Sequence, residues 1–338
     1  MILVTGGTGL VGSHLLYQLS LENDVVKAIY RKNSNLKAVK HVFSYFSNDF
    51  ENLFKKIIWI EADITDVVTL DLAFENVTEV YHAAALISFN PKDYREMRKI
   101  NIEGTANITN FCIEKKVRKL CFVSSIAAVG KAVNNQKINE ENEWDIEKSN
   151  YGYAISKYGA EMEIWRASQE GVPVIIVNPG VIIGAGYWKN GSGSIFDKIF
   201  NGFKFYSEGV TAYVSVSDVV KAMILLTKSD VKNERFILVS ENLSFKEVFS
   251  QIAKVFKKNA PTIKTSPLMS SIGWRIEWFR SLLTRKPPLL TKHSSKTIHE
   301  KRYYSSAKLK KAINFKFEPI SKSIVQICGY YLKDKKTI

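Results

Sequence analysis

The chain has 338 residues, of which 46% are hydrophobic and 12% are aromatic. This length and composition fit a globular protein with two lobes and exclude a disordered chain. No apolar run reaches the length of about 18 residues that would suggest a membrane span. The three cysteines show neither paired nor metal-ligand spacing, and an apolar strand begins directly after Met1, which leaves no room for a targeting peptide. We therefore expect a cytoplasmic protein.

Positive charge is concentrated in the C-terminal third of the chain. The net charge is +15; residues 1–220 carry 23 basic and 25 acidic side chains, whereas residues 221–338 carry 25 and 8. A solvated basic surface is the simplest interpretation, and attraction of an anionic substrate or a membrane surface are the alternatives. Since the basic residues are not interleaved with a nucleic-acid reading motif, we expect no nucleic-acid partner.

Short apolar strands alternate with amphipathic helices along the first half of the chain. A strand is predicted at Ile2–Thr5, and a helix follows over residues 10–22. Further strands are predicted at 25–30, 57–62, 79–84, 119–125 and 172–179, with helices over about 91–116 and 150–170. This alternation predicts an α/β fold with a Rossmann-type, doubly wound parallel sheet. We assign residues 1–178 to that domain, with about 209–228 returning to it, and residues 179–338 to a smaller C-terminal α+β substrate lobe.

A glycine-rich turn, TGGTGLVG, joins the first strand to the first helix. Gly6, Gly9 and Gly12 fit G-x-x-G-x-x-G, and Gly7, Gly9 and Gly12 fit G-x-G-x-x-G. Glycines here let the backbone approach a dinucleotide pyrophosphate, and the helix N-terminus offers N–H groups to the phosphates. A tight turn without a ligand is the alternative. The predicted cofactor contacts in this turn are Gly6, Thr8, Gly9, Leu10, Val11 and Gly12.

The end of the second strand bears on the choice of nicotinamide cofactor. An NAD site usually has Asp or Glu there, which binds the ribose diol. Here the strand ends in Tyr30-Arg31-Lys32-Asn33 without an acid, and Arg31 could bind a 2′-phosphate through two hydrogen bonds. Two surface cations can also have no such role. We therefore expect NADP as the preferred cofactor, with NAD as the alternative.

A hydroxyl, a phenol and an ammonium group are predicted to meet at the edge of the sheet. Tyr153 and Lys157 are four residues apart in a helical pattern, which puts them on one helix face. Ser124 and Ser125 end a strand upstream. Although Tyr-x-x-x-Lys arises by chance on many helices, this context indicates a catalytic group: Tyr153 exchanges a proton with a substrate oxygen that Ser125 holds. The charge of Lys157 is expected to lower the tyrosine pKa from near 10 to about 7, which requires roughly 4 kcal/mol.

With these motifs the sequence resembles the extended short-chain dehydrogenases/reductases, the NAD(P)-dependent epimerase/dehydratase group. The resemblance covers about residues 1–185 and rests on TGGTGLVG, EADITD, YHAAA, NIEGT, FVSSIAAVG, YAISK and NPGVIIG, in the family's order. It implies an NAD(P)-dependent oxidoreductase with Ser125, Tyr153 and Lys157 as catalytic residues. Ser125 is preferred to Ser124 because it stands five residues before Gly130, as the catalytic Ser or Thr of the family does.

The resemblance also implies further contacts with the cofactor. An acidic residue and its neighbour would hold the adenine, two alanines would pack against the phosphate–ribose portion, and a proline would border the nicotinamide ring. These residues are Asp63 and Ile64, Ala83 and Ala84, and Pro179, while Tyr153 and Lys157 would contact the nicotinamide ribose region. Asn101 in NIEGT matches a family asparagine with a structural role. The alternatives are that Asp63 caps the next helix and that the alanines serve close packing.

The segment GVTAYVSVSD indicates the branch of the family. Nucleotide-sugar epimerases and dehydratases of this group usually have an arginine shortly before a V-x-D motif; here Val216 and Asp218 are present, and Thr211 stands near the arginine's position. NPGVIIG, SSIAAVG and the tail RYYSSAKLKKAINFKFEP resemble the dihydroflavonol-reductase and 3β-hydroxysteroid-dehydrogenase branch. That likeness implies a ketone or alcohol on a fairly apolar small molecule. A sugar epimerase or dehydratase with tightly bound NAD and a non-catalytic cofactor-binding regulator are the alternatives, and a homodimer is a possible assembly.

Residues 270–290 predict a helix with an apolar stripe that ends before the Pro287-Pro288 pair. The stripe consists of Trp274, Trp278, Phe279 and Leu282. Packing into the core of the lobe is the simplest interpretation, and a lid over an apolar substrate or a membrane-surface helix are the alternatives. The five histidines lack metal-ligand spacing, so no metal is expected, and His82 is interpreted as a satisfied core histidine.

Overall fold

The computed structural model describes residues 1–132, 136–145, 151–284, 288 and 290–337. Twelve strands occur in these ranges. They are β1 (Ile2–Thr5), β2 (Val26–Tyr30), β3 (Ile57–Glu61), β4 (Glu79–His82), β5 (Lys119–Val123), β6 (Val174–Pro179), β7 (Val181–Ile183), β8 (Phe205–Tyr206), β9 (Val210–Ser215), β10 (Glu234–Leu238), β11 (Glu241–Ser244) and β12 (Ile263–Lys264).

Seven of these strands form the central sheet, in the order β3-β2-β1-β4-β5-β6-β10. Every neighbouring pair in it is parallel. The order changes direction between β1 and β4, and the loops that follow these two strands open a crevice at the carboxyl edge of the sheet. The prediction of a Rossmann-type, doubly wound sheet is confirmed.

Fourteen α-helices occur in the described ranges. They are α1 (Leu10–Glu22), α2 (Leu36–Ser44), α3 (Phe50–Lys55), α4 (Val67–Phe74), α5 (Tyr94–Arg98), α6 (Gly104–Glu114), α7 (Gly152–Gln169), α8 (Gly193–Phe200), α9 (Val216–Lys228), α10 (Phe245–Val255), α11 (Pro267–Thr284), α12 (Lys292–Thr297), α13 (Ala307–Ile313) and α14 (Ile320–Thr337). Over these ranges, none of the helices combines the length and hydropathy that a membrane-crossing segment requires.

Helices cover both faces of the central sheet because its strands are apolar on both sides. In β1, Val4 packs into one core with residues of α1, α2 and α9. Its neighbour Leu3 packs into another core with residues of α4, α6 and α7. Successive strand residues point to opposite faces, so this single strand contributes to both layers.

A separate core forms most of the second lobe. A small sheet of order β11-β9-β7 packs against α8, α10 and α14. Phe196, Tyr213, Ile252 and Ile324 are buried there. The lobe also contains a short parallel pair, β8 with β12.

Residues 209–240 are shared between the two lobes in a way that the predicted boundaries did not describe. Strand β9 pairs with β7 and β11 in the small sheet, whereas α9 packs against α1 in the layer over the central sheet. Strand β10, which the prediction left in the substrate lobe, pairs with β6 and ends the central sheet. The segment that returns to the Rossmann-type domain therefore includes α9 and β10 but not β9.

The helix predicted over 91–116 differs from the structure, whereas the one predicted over 150–170 corresponds to α7. The helix expected over 91–116 is divided into a 3₁₀ turn at Pro91–Asp93, α5, a π-helical turn at Lys99–Glu103 and α6. Asn150, at the start of the helix expected over 150–170, lies outside the described residues, and α7 begins at Gly152.

The predicted helix over 270–290 is α11, and the prediction that its stripe packs into the lobe core is wrong. Trp278 is 53% exposed, Phe279 is 59% exposed and Leu282 is exposed as well, while Trp274 is partly buried. Among the described residues of α11, the buried one is Ser270. Pro287, which was expected to limit the helix, lies outside the described residues.

Candidate active site

The glycine turn between β1 and α1 has the geometry of a phosphate cradle. Gly6 has φ +70°, which lies in the left-handed region that favours glycine. The Gly9 N–H donates a 3.0 Å hydrogen bond to the Gly6 carbonyl. A Cβ at Gly6 would lie 2.5 Å from the backbone after β4, and one at Gly12 would lie 2.1 Å from the Gly6 oxygen. A Cβ at Gly7 would meet a leucine side chain instead. The turn therefore uses the G-x-x-G-x-x-G spacing.

The N-terminus of α1 opens onto this cradle. Gly9 is its N-cap residue, and within the described ranges no side chain caps it. A Cβ at Gly9 would have one neighbour within 4 Å among the described atoms, the Gly6 oxygen at 3.4 Å. Since first-turn N–H groups have no partners inside their own helix and lie at its positive end, the pyrophosphate of a dinucleotide fits here. Thr8 and Leu10 are partly exposed beside it, and Val11 is buried.

The residues that were predicted to hold the adenine follow β3. The Asp63 carboxylate accepts hydrogen bonds from the N–H and the hydroxyl of Thr65, both at 2.8 Å. Asp66 is the N-cap of α4, so capping that helix is not the role of Asp63. Ile64 is buried, and its side chain fills the space that a Cβ on Gly104 would need. These contacts shape the loop, and contact with the adenine stays a prediction.

The segment after β4 is attached to the end of β1. The Ala83 N–H donates to the Thr5 carbonyl at 3.2 Å, and the Ala84 N–H donates to the Thr5 hydroxyl at 3.3 Å. The buried His82 ring hydrogen-bonds Thr5 at 2.6 Å and Thr105 at 3.0 Å. Burial lowers the pKa of His82 to about 3, with a smaller contribution from the charge of Lys157. His82 is therefore a satisfied core histidine, as predicted.

Asn101 connects the loop after β4 to the catalytic helix. Its Oδ1 accepts from the Leu86 N–H at 2.7 Å, and its Nδ2 donates to the Leu86 carbonyl and to Ser156 Oγ, both at 2.9 Å. It is buried in the π-helical turn. The role is structural, because Asn101 fixes the residue that precedes Lys157 on α7.

The turn after β2 places Arg31 beside the glycine loop. The Arg31 N–H donates to Ser34 Oγ at 3.0 Å, and the Thr8 hydroxyl donates to the same oxygen at 3.5 Å. The Arg31 and Lys32 side chains are exposed. In the part of the chain that the structure describes, no acidic side chain pairs with Arg31, so its charge is available to an anionic group of a ligand.

Ser125, Tyr153 and Lys157 meet where β5 ends and α7 begins. The Ser125 hydroxyl lies close enough to the Tyr153 phenol to lower its pKa, and Lys157 Nζ donates to the Val123 carbonyl at 2.7 Å. Tyr153 and Lys157 are both buried. Pro179 ends the neighbouring strand, β6, and is also buried. The structure thus brings together the three residues that were predicted to act on the substrate.

The electrostatics of this group differ from the expectation. Burial raises the pKa of Tyr153 to about 12, and the hydrogen bond with Ser125 opposes this rise. Burial lowers the pKa of Lys157 to about 7, and the charge of Glu161 opposes this fall. Because the ammonium group bonds a carbonyl and not the phenol, the predicted lowering of the tyrosine pKa to about 7 is wrong in this arrangement. Tyr153 is neutral at pH 7 and keeps the proton that a general acid donates.

A buried carboxylate one helical turn beyond Lys157 was not predicted from the sequence. Glu161 Oε1 accepts hydrogen bonds from Ser124 Oγ and Asn178 Nδ2, both at 2.5 Å. Its Oε2 lies 3.7 Å from Arg235 Nη1. Burial raises the pKa of Glu161, and these hydrogen bonds and the nearby cations oppose the rise. The i+4 spacing from Lys157 is the signal that could have indicated it.

Aromatic side chains surround Tyr153, and sequence reasoning did not find them. The Phe89 and Tyr151 ring centroids lie 6.1 and 6.2 Å from that of Tyr153. Tyr151 stacks on His293 at 3.7 Å. These residues come from the loop after β4, the N-cap of α7 and the first turn of α12, so no local pattern links them. Together, Phe89, Tyr151 and His293 form what we call the aromatic wall.

An arginine approaches Thr211, the residue near the position where nucleotide-sugar epimerases usually have an arginine. The Arg302 N–H donates to the carbonyl of Val210 at 3.0 Å, so the C-terminal segment brings an arginine beside β9. Its side chain forms an ion pair with Glu300. Burial lowers the pKa of His293, and the charge of Arg302 lowers it further. Arg302 therefore lies near His293 of the aromatic wall, but it already has an acidic partner.

Residues 4–260 match an NAD-binding family that is described as male sterility protein. The chain belongs to that family. It is an NAD(P)-dependent oxidoreductase of the extended short-chain dehydrogenase/reductase type, as the sequence predicted.

Several relatives match over most of the chain. A putative dihydroflavonol 4-reductase of Synechocystis sp. is 28% identical, over 90% of this chain and 87% of its own. Sterol demethylase protein B of Methylococcus capsulatus is 24% identical, over 88% of both chains. Anthocyanidin reductase of Arabidopsis thaliana is 27% identical, over 75% of this chain and 80% of its own. The predicted resemblance to the dihydroflavonol-reductase branch is confirmed.

Solved structures share the fold. The crystal structure of gox2253 has a TM-score of 0.81 at 23% identity and covers 99% of this chain and 98% of its own. UDP-glucose 4-epimerase of Thermotoga maritima, solved with UDP-glucose, has a TM-score of 0.78 at 20% identity and covers 99% of both chains. At these identities the likeness shows the Rossmann-type fold alone.

Proposed function

We propose that the protein reduces a ketone or aldehyde group on an apolar small molecule, with NADPH as the reductant. The observation that carries this proposal is the setting of Tyr153. Its neutral phenol lies beside the Ser125 hydroxyl, which lowers its pKa, and the Phe89 and Tyr151 rings of the aromatic wall lie next to it. Such a wall favours a planar or apolar substrate over a hydrated sugar.

Each member of the catalytic group has a proposed role. Ser125 holds the substrate oxygen by a hydrogen bond, and Tyr153 donates its proton to that oxygen. When bound, the nicotinamide supplies the hydride that the carbonyl carbon accepts. Lys157, in its charged form, binds the nicotinamide ribose and stabilises the phenolate that remains on Tyr153. The net reaction consumes one hydride and one proton for each alcohol that forms.

The remaining cofactor contacts are proposed on the resemblance and on the shape of the crevice. The turn with Gly6, Gly9 and Gly12 holds the pyrophosphate, Asp63 and Ile64 hold the adenine, and Ala83, Ala84 and Pro179 line the path of the cofactor. A preference for NADPH rests on Arg31, which is exposed, lies next to the glycine loop and has no acidic partner among the described residues. A cytoplasmic location is part of the same proposal, and the three buried, unpaired cysteines suit it.

The alternative function, epimerisation or dehydration of a nucleotide sugar with tightly bound NAD, has less support. The relatives over the whole chain include proteins named for the reduction of dihydroflavonol and anthocyanidin. The likeness to an epimerase concerns the fold. Thr211 has no charge to offer a diphosphate, and the nearby Arg302 already pairs with Glu300.

The test combines a tyrosine variant with a substrate panel. Tyr153→Phe keeps the ring and removes the hydroxyl, so turnover with accepted ketones should fall by at least about 100-fold while NADPH binding stays within threefold. Tyr158→Phe is the matched control: Tyr158 lies on the same helix but stacks on Trp144, away from Ser125, and should keep wild-type turnover. The panel pairs apolar aldehydes and ketones, followed by NADPH absorbance, with UDP- and dTDP-sugars, followed by product chromatography. A Tyr153→Phe enzyme within threefold of wild type would remove the phenol from the mechanism, and epimerised sugar at constant absorbance would overturn the proposed reaction.

A further inference from the structure

Helix α11 is oriented with its apolar side towards solvent. Its exposed large side chains recur at intervals of three and four residues, which places them on one helical stripe. Leu268 is 71% exposed, Ile276 is 62% exposed and Leu283 is 72% exposed. The stripe, which we call the apolar stripe of α11, consists of Leu268, Ile272, Ile276, Phe279 and Leu283.

The opposite side of α11 faces the protein and is mostly small or polar, with Trp274 as a partly buried aromatic residue on it. Ser270 is buried, and its hydroxyl hydrogen-bonds the His299 ring at 2.8 Å. Glu277 and Arg280 form an ion pair on the partly buried side. A helix on the surface of a globular protein normally has the reverse arrangement, with its apolar side towards the core. The orientation therefore indicates that another apolar phase covers the stripe.

We propose that α11 docks the protein on the surface of an anionic phospholipid membrane, with the apolar stripe in the acyl-chain boundary and the helix parallel to the surface. Charge complementarity favours this occupant. Residues 221–338 carry 25 basic and 8 acidic side chains. Lys292 and Lys296 are exposed on α12, which packs directly against α11, and Arg275 is exposed beside the stripe. Within the described ranges, neither lysine has an acidic partner.

Charge also argues against a second copy of this chain as the partner that covers the apolar stripe of α11. Each chain carries a net charge of +15, and a dimer through α11 would bring two basic C-terminal thirds together. Like charges at such an interface oppose association. Trp278, which is half-exposed at the border of the stripe, also suits a lipid interface, because its ring sits at the boundary between headgroups and acyl chains.

The docking helix is connected to the catalytic group. Helix α12, under α11, carries His293, which stacks on Tyr151 beside Tyr153. A membrane against α11 would therefore lie close to the aromatic wall, and an apolar substrate could enter from the lipid. This consequence rests on the proposed function, whereas the docking itself does not.

Vesicle flotation of the full chain tests the docking. The lipids are phosphatidylglycerol mixed with phosphatidylcholine, and phosphatidylcholine alone. We expect the protein to float with the anionic vesicles, to bind phosphatidylcholine at least about tenfold more weakly, and to lose most anionic binding at 1 M salt, where the screening length is about 3 Å. The double variant Phe279→Ser/Leu283→Ser should weaken anionic binding by at least about 30-fold, since each large apolar side chain changes partitioning by roughly tenfold.

A matched control keeps the result specific. Val68→Ser/Leu72→Ser changes two equally exposed apolar residues on α4, in the other lobe, and should leave vesicle binding unchanged. Thermal unfolding of both variants should match the wild type, because the replaced side chains are exposed. If wild-type protein stays unbound on anionic vesicles, or if the α11 variant binds as the wild type does, the docking proposal fails. A dimer by light scattering that the α11 variant abolishes, without vesicle binding, would assign the stripe to a second copy and also overturn the proposal. Ketone reduction measured without vesicles reports on the proposed function separately.

Discussion

Replacement of Glu161 by glutamine tests how the buried carboxylate sets the charge of Lys157. The amide keeps an oxygen that can accept from Ser124 and Asn178 but carries no charge. Residues four apart on a helix have Cβ atoms about 6 Å apart, and at an effective dielectric of about 20 two unit charges at that distance interact by ~2.8 kcal/mol, or about 2 pKa units. Burial raises the pKa of Glu161 and Arg235 shares its charge, so we expect about half of that effect.

The causes of the Lys157 pKa shift show in which direction this pKa should change in the Glu161→Gln variant. Burial lowers the pKa of Lys157 to about 7, and Glu161 counteracts it. Without the carboxylate, the pKa should fall by about one further unit, since nothing then offsets desolvation. The ammonium form, which we propose binds the cofactor, is present below the pKa and lost above it. At pH 7 its fraction should fall from about one half to about one tenth, which lowers kcat/KM for NADPH about fivefold.

The assay is the pH profile of kcat/KM for NADPH between about pH 5 and 9, at constant ionic strength. The descending limb of Glu161→Gln should lie about one pH unit below that of the wild type, and the two enzymes should converge at acidic pH. Glu163→Gln is the control, since Glu163 lies on the same helix but pairs with Arg166 at the surface; its profile should match the wild type. If Glu161→Gln instead lowers kcat/KM equally at every pH and its descending limb stays at the wild-type position, then Glu161 has a structural role and does not set the charge of Lys157.

Two further predictions concern the cofactor. Arg31→Ala should weaken NADPH binding at least tenfold and leave NADH binding within twofold, because it removes the cation that we propose binds the 2′-phosphate; tighter binding of NADH than NADPH by the wild type would refute this assignment. Gly9→Ala should fold with the stability of the wild type, because a Cβ there meets one atom, at 3.4 Å, among those described, yet should weaken either dinucleotide. Gly12→Ala should lower the unfolding temperature as well, because its Cβ would lie 2.1 Å from the Gly6 oxygen. Loss of stability in Gly9→Ala, with normal binding, would show that the pyrophosphate lies elsewhere.

The central sheet was predictable because its signals are local. Strands buried on both faces are apolar along their whole length, and the glycines at 6, 9 and 12 mark the turn after the first of them. Strand β10 was missed because its partner is β6, and the run ERFILVS does not show which sheet it joins. The break between α5 and α6 was missed because the π-helical turn serves Asn101, whose partners lie in a loop and on another helix.

The candidate site also contains residues that local motifs predict and residues that only the fold brings together. Ser125, Tyr153 and Lys157 lie in short motifs with fixed spacing, so sequence reasoning found them. Phe89 precedes Tyr151 by 62 residues and His293 follows it by 142, and only the fold brings these rings together. The orientation of α11 could not be predicted either, because the periodicity of apolar residues shows that a stripe exists but not whether it faces the core or the solvent.

Burial explains the error in the predicted tyrosine pKa and bears on how the proposed reaction depends on pH. The prediction assigned Lys157 the energy to lower the pKa of Tyr153, as if both groups were in an intermediate dielectric. In the folded chain both are buried, and desolvation disfavours the charged form of each, so the phenol keeps its proton and the lysine loses its own more readily. A neutral phenol can donate to a carbonyl oxygen but cannot take a proton from an alcohol. At neutral pH the phenol is therefore in the form that reduction needs, and the rate of alcohol oxidation by the same group should rise with pH.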